Sequence, residues 1–243
     1  MEQFNIDIVK KEAREYIRTD RRWLYMGLAC LPITLLTNAI LGGAGIIESF
    51  LEESIFVDYG CSFASSVITW LIIPFTVGMA GYFLNYLRGL NPDWKSIYRE
   101  GADNFGKYFV VGVIKELIIM LWTFVFIIPG IIRRYEYYFV NQIIHDNPNL
   151  DQKQARYLSK RMTDGSKSDL FILDLSFLPW IILEIITLDI ASLYVLPYMQ
   201  YTAAICYEKF KQNAIATGVA SPEEFGIYPM VEENSQFVDD KEC

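Results

Sequence analysis

Four ionisable side chains, Lys115, Glu116, Asp174 and Glu184, lie inside long apolar stretches of the 243-residue chain. A charge at the centre of a membrane helix costs roughly 2.5–3.5 kcal/mol on insertion scales, so each of the four needs a partner or a task. In a transporter, Asp174 or Glu184 would take a proton or cation, with Lys115 as counter-charge. In a purely structural role, Lys115 and Glu116 would reach for the interface, and Asp174 would pair with a cation or backbone group across the bundle. Asp174 and Glu184 stand about 15 Å apart along a helix and on different faces. They are not a carboxylate pair of the kind used in acid–base catalysis.

Tyrosines form two further patterns. Tyr194, Tyr198 and Tyr201 recur at i, i+4 and i+7 beside Pro197, and Tyr135, Tyr138 and Gln142 make a second polar stripe. Facing one another, the stripes would line a cavity for an amphipathic ligand. As interfacial residues they would form an aromatic belt or cap polar gaps between helices. Lys153, Arg156, Lys160 and Arg161 surround Leu158 and Met162. That is a basic amphipathic helix suited to anionic lipid, although setting topology explains the same charges.

Motifs for other chemistry are missing. The single histidine, His145, is too little for a zinc or Ser-His-Asp site. No Walker or dinucleotide fingerprint occurs, and no cofactor is expected. Cys30, Cys61, Cys206 and Cys243 form no C-x-x-C pair and read as small apolar residues. The net charge of -8 comes largely from Glu48, Glu52, Glu53, Asp58 and the acidic end of the chain. With no basic, base-reading element, nucleic acid is not expected as a partner.

The elements that position these residues are legible from hydropathy. Hydrophobic residues are 53% of the chain and aromatics 15%, above soluble usage, while most of the charge is segregated into loops and tails. The stretches 24–47 and 61–87 carry no Asp, Glu, Lys or Arg, and each is long enough to cross a hydrocarbon core of about 30 Å. The first is expected to act as an uncleaved signal anchor. Lys10, Lys11, Arg14, Arg18, Arg21 and Arg22 precede it, and no cation occupies 48–60, so the N-terminus is placed in the cytoplasm.

Basic loops at 88–107 and 146–168 are then both cytoplasmic, which requires an even number of crossings between them. A break at Pro129-Gly130 supplies it. A single kinked helix is the alternative, but it would strand one basic loop outside. The fold class read from this pattern is all-α: a polytopic membrane bundle of about six transmembrane helices. Its expected spans are 24–47, 61–87, 108–127, 131–145, 170–187 and 190–207, within a transmembrane domain over 23–208. An amphipathic interfacial helix occupies 1–22, with Ile6, Val9, Ala13, Tyr16 and Ile17 on one face. An acidic cytoplasmic tail occupies 209–243. Small residues at 42–45 and at Gly78–Gly81 would let helices approach closely.

Several runs stand out: Ile128-Pro129-Gly130-Ile131-Ile132 with Tyr135 and Tyr138, Asp146-Asn147-Pro148, Ser159-Lys160-Arg161-Met162 with Gly165, and Leu173-Asp174-Leu175-Ser176-Phe177 with Trp180. They resemble a family of bacterial integral membrane proteins known as domain of unknown function 975, common in Gram-positive bacteria. Pro197-Tyr198, Tyr207-Glu208 and, upstream, Lys11-Glu12-Ala13-Arg14 leading to Trp23 extend the likeness. Leu188-Asp189 departs from the glycine-containing turn usual there. Similar segments occur more distantly in membrane regions attached to glycerophosphodiesterases.

The resemblance implies a topology and no substrate. The reading is therefore a multi-pass cell-membrane protein with both termini cytoplasmic, acting in transport, lipid handling or an accessory role. Its partners would be the lipid bilayer and either another membrane protein or a second copy. An immunity or stress-protection protein acting on another membrane protein is one alternative; a membrane-embedded enzyme on lipid-linked substrates is the other.

Overall fold

The computed structural model describes residues 5–19, 24–33, 35–36, 55–187 and 190–228. The far part of the first expected span, the small residues at 42–45, most of the acidic outer loop, the link at 188–189 and the tail from 229 lie outside the described residues. The described residues form helices α1 (Ile6–Thr19), α2 (Leu24–Ile33), α3 (Ile55–Leu87), α4 (Ser96–Asp103), α5 (Phe105–Val125), α6 (Ile127–Glu136) and α7 (Val140–Asp146). Then come α8 (Gln152–Met162), α9 (Lys167–Leu175), α10 (Leu178–Ile186), α11 (Ser192–Ala216) and a 3₁₀ turn at Pro222–Phe225. No strand occurs among them.

Among the described residues, two stretches are helical, long and apolar enough to cross a membrane: Trp70–Leu87 in α3 and Phe105–Val125, which is α5. Of the other expected spans, 24–47 is described only at 24–33 and 35–36, and the remaining three appear as shorter, broken or more polar helices. The stretch 131–145 is interrupted after Glu136, and 170–187 is interrupted at Ser176-Phe177. α11 is long but carries Glu208, Lys209 and Lys211 in its second half.

The helix break expected at Pro129-Gly130 lies instead at Phe126, whose backbone is extended (φ −153°, ψ 130°). Pro129 falls in the first turn of α6, where its missing amide would have had no helical acceptor anyway. Gly130 serves close approach. A Cβ there would collide with Thr123 Oγ1 and stand 2.6 Å from Thr123 Cα, so α6 folds directly back along α5.

The apolar stripe of α1 is spent on protein and not on lipid. Val9, Ala13 and Ile17 are buried against α11, Tyr16 stacks on Tyr201 at 5.7 Å, and Lys209 pairs with Glu12 at 2.8 Å. The basic helix behaves likewise. An Asp151–Gln154 capping box starts α8, and its Leu158 and Met162 are buried where it packs on α6 and α7. An amphipathic stripe does not name its cover; here another helix takes it before the bilayer can.

α3 is the central pillar, touching α4, α5, α7 and α11. Its Gly78 and Gly81 do allow close approach, to the Ile97 carbonyl of α4 and the His145 ring of α7 respectively. Tyr201 of α11 is the aromatic hub, with Phe83 and Tyr86 edge-on at 5.0 and 6.0 Å and its hydroxyl 3.0 Å from Met26 Sδ of α2.

Candidate functional site

The charged groups of these helices are held in a belt of separate polar contacts. On α5, Lys115 Nζ donates to Asn141 Oδ1 of α7 at 3.2 Å and pairs with Glu116 at 3.3 Å. Asn141 reaches on to Thr76 Oγ1 of α3 at 3.5 Å. At the end of α6, the buried Glu136 takes Arg133 and, at 3.0 Å, Lys167 of α9. Lys160 of α8 lies 3.9 Å from the same carboxylate, and Ser159 donates to the Glu136 carbonyl at 2.8 Å. The belt continues through Asp174 of α9, which accepts from the hydroxyls of Tyr135 (3.1 Å) and Tyr138 (3.2 Å). It closes on α1, where Lys10 donates to Ser176 Oγ at 2.9 Å above the Phe177 ring.

A groove of about 370 Å³ opens beside this belt, between α2, α3 and α5. Ile33, Trp70, Ile72, Ile73 and Met120 are its apolar walls, and Lys115, Glu116 and Thr76 supply its polar end. An apolar trough ending at a cation and a carboxylate suits a molecule that is itself oily along most of its length and polar at one end. A larger depression of about 890 Å³ under α1 borders Tyr194, but Lys11, Arg14 and Arg18 alternate there with Asp7 and Glu15. Mixed charge on an open face selects little, so the Lys115 groove is the stronger site.

The structure unites some sequence-derived candidates and separates others. Tyr135, Tyr138 and Asp174 come together, from two elements far apart in the chain. Lys115 is not the counter-charge of Asp174: its partners are Asn141 and Glu116, while among the described residues Asp174 accepts from two phenols and meets no cation in hydrogen-bond contact. The second stripe packs and does not line a cavity with the first. Tyr194 and Tyr198 lie against Trp180 at 5.7 and 5.9 Å, and Tyr198 also meets Phe177 edge-on. Tyr201 is the core hub described above. Glu184 is half-buried on α10, remote in sequence from every belt residue of α5 and α6.

Of the proposed lipid-contacting cations, Lys153 and Lys160 are exposed. Arg156 lies over the Tyr137 ring at 5.8 Å, and Arg161 is engaged by Glu224 and the Tyr157 ring.

Sequence reasoning missed the most heavily bonded carboxylate. Asp146 ends α7 with its side chain 2% exposed. Both terminal nitrogens of Arg88 donate to it at 2.8 Å, Lys211 at 2.6 Å and the Tyr207 hydroxyl at 2.9 Å. Burial pushes this carboxyl up, but Arg88 and Lys211 outweigh it and hold it below its ordinary range. Glu208 shares Arg88, accepting from Nε at 2.7 Å. Beside this knot, His145 Nδ1 meets Glu100, which also accepts from Tyr108 at 3.1 Å. Asp146 stood in a motif, yet its partners are 58 and 65 residues away, and no local pattern announces them.

Among the described residues no group of His, Cys, Asp and Glu is arranged to hold a metal ion. No curated protein and no solved structure matches the chain. A family model matches residues 124–214. It begins in the exposed tip of the α5–α6 hairpin and takes in Asp146, Asp174 and both tyrosine stripes. That segment, which holds Asp146, Tyr207, Lys211 and the Asp174 site but not Arg88, matches the family described as protein of unknown function (DUF975).

Proposed function

We propose that this protein is a multi-pass cell-membrane protein, both termini cytoplasmic, that handles lipid by holding an amphipathic molecule in the groove beside Lys115. The observation that carries this reading is the groove itself, whose apolar walls end at Lys115, Glu116 and Thr76. The polar end meets a headgroup with Lys115 on its anionic part, and Ile33, Ile73 and Met120 take its chain. Trp70–Leu87 and Phe105–Val125, with the exposed apolar residues of α2 and α10, support a bilayer as the surrounding medium. The excess of Lys and Arg in 1–22, 88–107 and 146–168 supports their cytoplasmic side. Parity is kept whether each apolar stretch between basic loops crosses twice or not at all.

The test is lipid retained after purification in mild detergent, read by native mass spectrometry. Wild-type protein is expected to carry a lipid adduct, and Lys115→Met to lose it at least tenfold while Asn149→Ala keeps it. A wild-type protein free of lipid, or retention indifferent to Lys115, ends the proposal. Reconstituted proteoliposomes then distinguish holding from movement across the bilayer.

A further inference from the structure

We infer that the α5–α6 hairpin is a membrane dip: it enters the cytoplasmic leaflet, ends in the hydrocarbon and returns without crossing. This rests on the membrane reading above and identifies which surface of the protein meets acyl chains.

Three observations converge on it. The first is length. From Leu117 to the turn at Phe126, α5 rises only about 14 Å, roughly half of a 30 Å hydrocarbon core. The second is the position of charge. Glu116, with its side chain 46% exposed, stands ten residues before the turn at Phe126, Glu136 stands ten residues after it, and Arg133 and Arg134 lie between Glu136 and the tip, Arg133 over the Trp122 ring. If the hairpin crossed and its turn reached the outer headgroups, these groups would sit near the bilayer midplane. If it dips, they lie among the cytoplasmic headgroups, where Lys160 and Lys167 already meet Glu136.

The third is the tip. Between Leu117 and Ile132 there is no charged residue, and Phe124, Phe126 and Ile128 are 90%, 67% and 72% exposed. A turn delivered to water on the far side would have a reason to carry polar residues. The first half of α5 differs in kind: Tyr108 and Val111 are buried, and Gly112 lies against Ile73 of α3. Up to the belt one face of the helix is buried against α3; beyond it α6 folds back alongside, and residues 120–128 are all exposed.

The dip also satisfies the parity of the basic loops, because zero crossings is even. It sets the Lys115 groove at headgroup depth with Met120 leading into the chains, which is the orientation a bound lipid would need.

The experiment is impermeant-thiol labelling of Phe126→Cys, in a chain whose four native cysteines are replaced, using sealed vesicles of both orientations. Asn149→Cys serves as the inside control. The expected result is no labelling at 126 from either side, with full labelling after detergent. Labelling from outside shows a crossing and overturns the dip; labelling from inside shows a hairpin in water and overturns it equally.

If the replaced-cysteine chain does not accumulate, a charge scan in the native chain decides. Phe126→Asp and Ile128→Asp should lower the membrane-inserted protein at least fivefold, with Asn149→Asp unchanged, whereas a tip in outer water would tolerate both. Extraction of wild-type protein by alkaline carbonate would remove the membrane reading itself, a result distinct from labelling at the tip.

Discussion

Arg88, one residue past the end of α3, sets its two terminal nitrogens 2.8 Å from separate oxygens of Asp146 at the end of α7. Fork-to-fork geometry of this kind fixes orientation as well as distance. Lys211 and Tyr207 bring the second half of α11 to the same carboxylate, so one side chain ties three helices. Asp146→Ala strands a largely buried lysine and a half-buried arginine. It is expected to cost about 3 kcal/mol, at the low end for broken buried pairs because Arg88 is partly solvated. Thermal unfolding in detergent measures it, and a loss below about 1 kcal/mol would show that the knot is not a clamp.

The same carboxylate sets an acid limit. Its native proton affinity is lowered, so its contribution is complete above the ordinary aspartate value of about 3.9 and disappears as pH falls through the lowered native value. Stability should therefore begin to drop below about pH 4. Asp146→Asn should flatten that part of the curve while lowering the plateau at neutral pH. Equal acid slopes for the two proteins would assign the titration elsewhere.

Among the described residues, Asp174 is held by two phenols and no cation in hydrogen-bond contact. Asparagine preserves an acceptor for one of them, so Asp174→Asn should cost under about 1 kcal/mol. Asp174→Leu leaves the hydroxyls of Tyr135 and Tyr138 without that acceptor, in or near an apolar region, and should cost about 1–3 kcal/mol. Should Asn prove as damaging as Leu, the negative charge itself matters and the site is more than a structural join.

The 3₁₀ turn at Pro222–Phe225 docks on the Asp146 knot. Phe225 is 2% exposed beside Tyr207 and Lys211, and Asn147 donates to the Glu223 carbonyl at 3.2 Å. Burying a phenylalanine is worth about 3 kcal/mol or more in a closed core. Here the segment follows the last long helix and can undock alone, so the loss is local. Phe225→Ala should raise hydrogen exchange over 220–228 and speed proteolysis there, with the main unfolding transition moved by less than about 1 kcal/mol.

Periodicity disclosed the helices and the partition of charge, because both are local properties of the chain. It disclosed the union of Tyr135 and Tyr138 only as a stripe, since their acceptor Asp174 lies on another helix. The cover of each amphipathic face was not legible: Val9, Ala13 and Ile17 ask for an apolar neighbour and are silent on whether it is lipid or α11. Pro129-Gly130 was a sound signal of a bend and a poor locator of it. Proline is tolerated inside a first helical turn, so the break could move to Phe126. Asp146 was hidden for the opposite reason, its energetics being set wholly by residues on α11 and at the end of α3.

Gly130 is the position where the hairpin can be tested most directly. Its hydrogen stands where a methyl group would meet the backbone and hydroxyl of Thr123, and both atoms belong to a helix with no room to retreat along its hydrogen-bonded axis. Gly130→Ala must push α6 away from α5 by the order of an ångström, which moves Arg133 off the Trp122 ring, now 4.9 Å away. Overpacking of this kind costs about 1–3 kcal/mol. Thr123→Ala removes the clashing hydroxyl but leaves the backbone of residue 123 in place, 2.6 Å from the new methyl, so a double variant should recover only part of the loss. Full recovery would place the conflict in the hydroxyl alone, and no loss in Gly130→Ala would mean that α5 and α6 are not closely packed at this point.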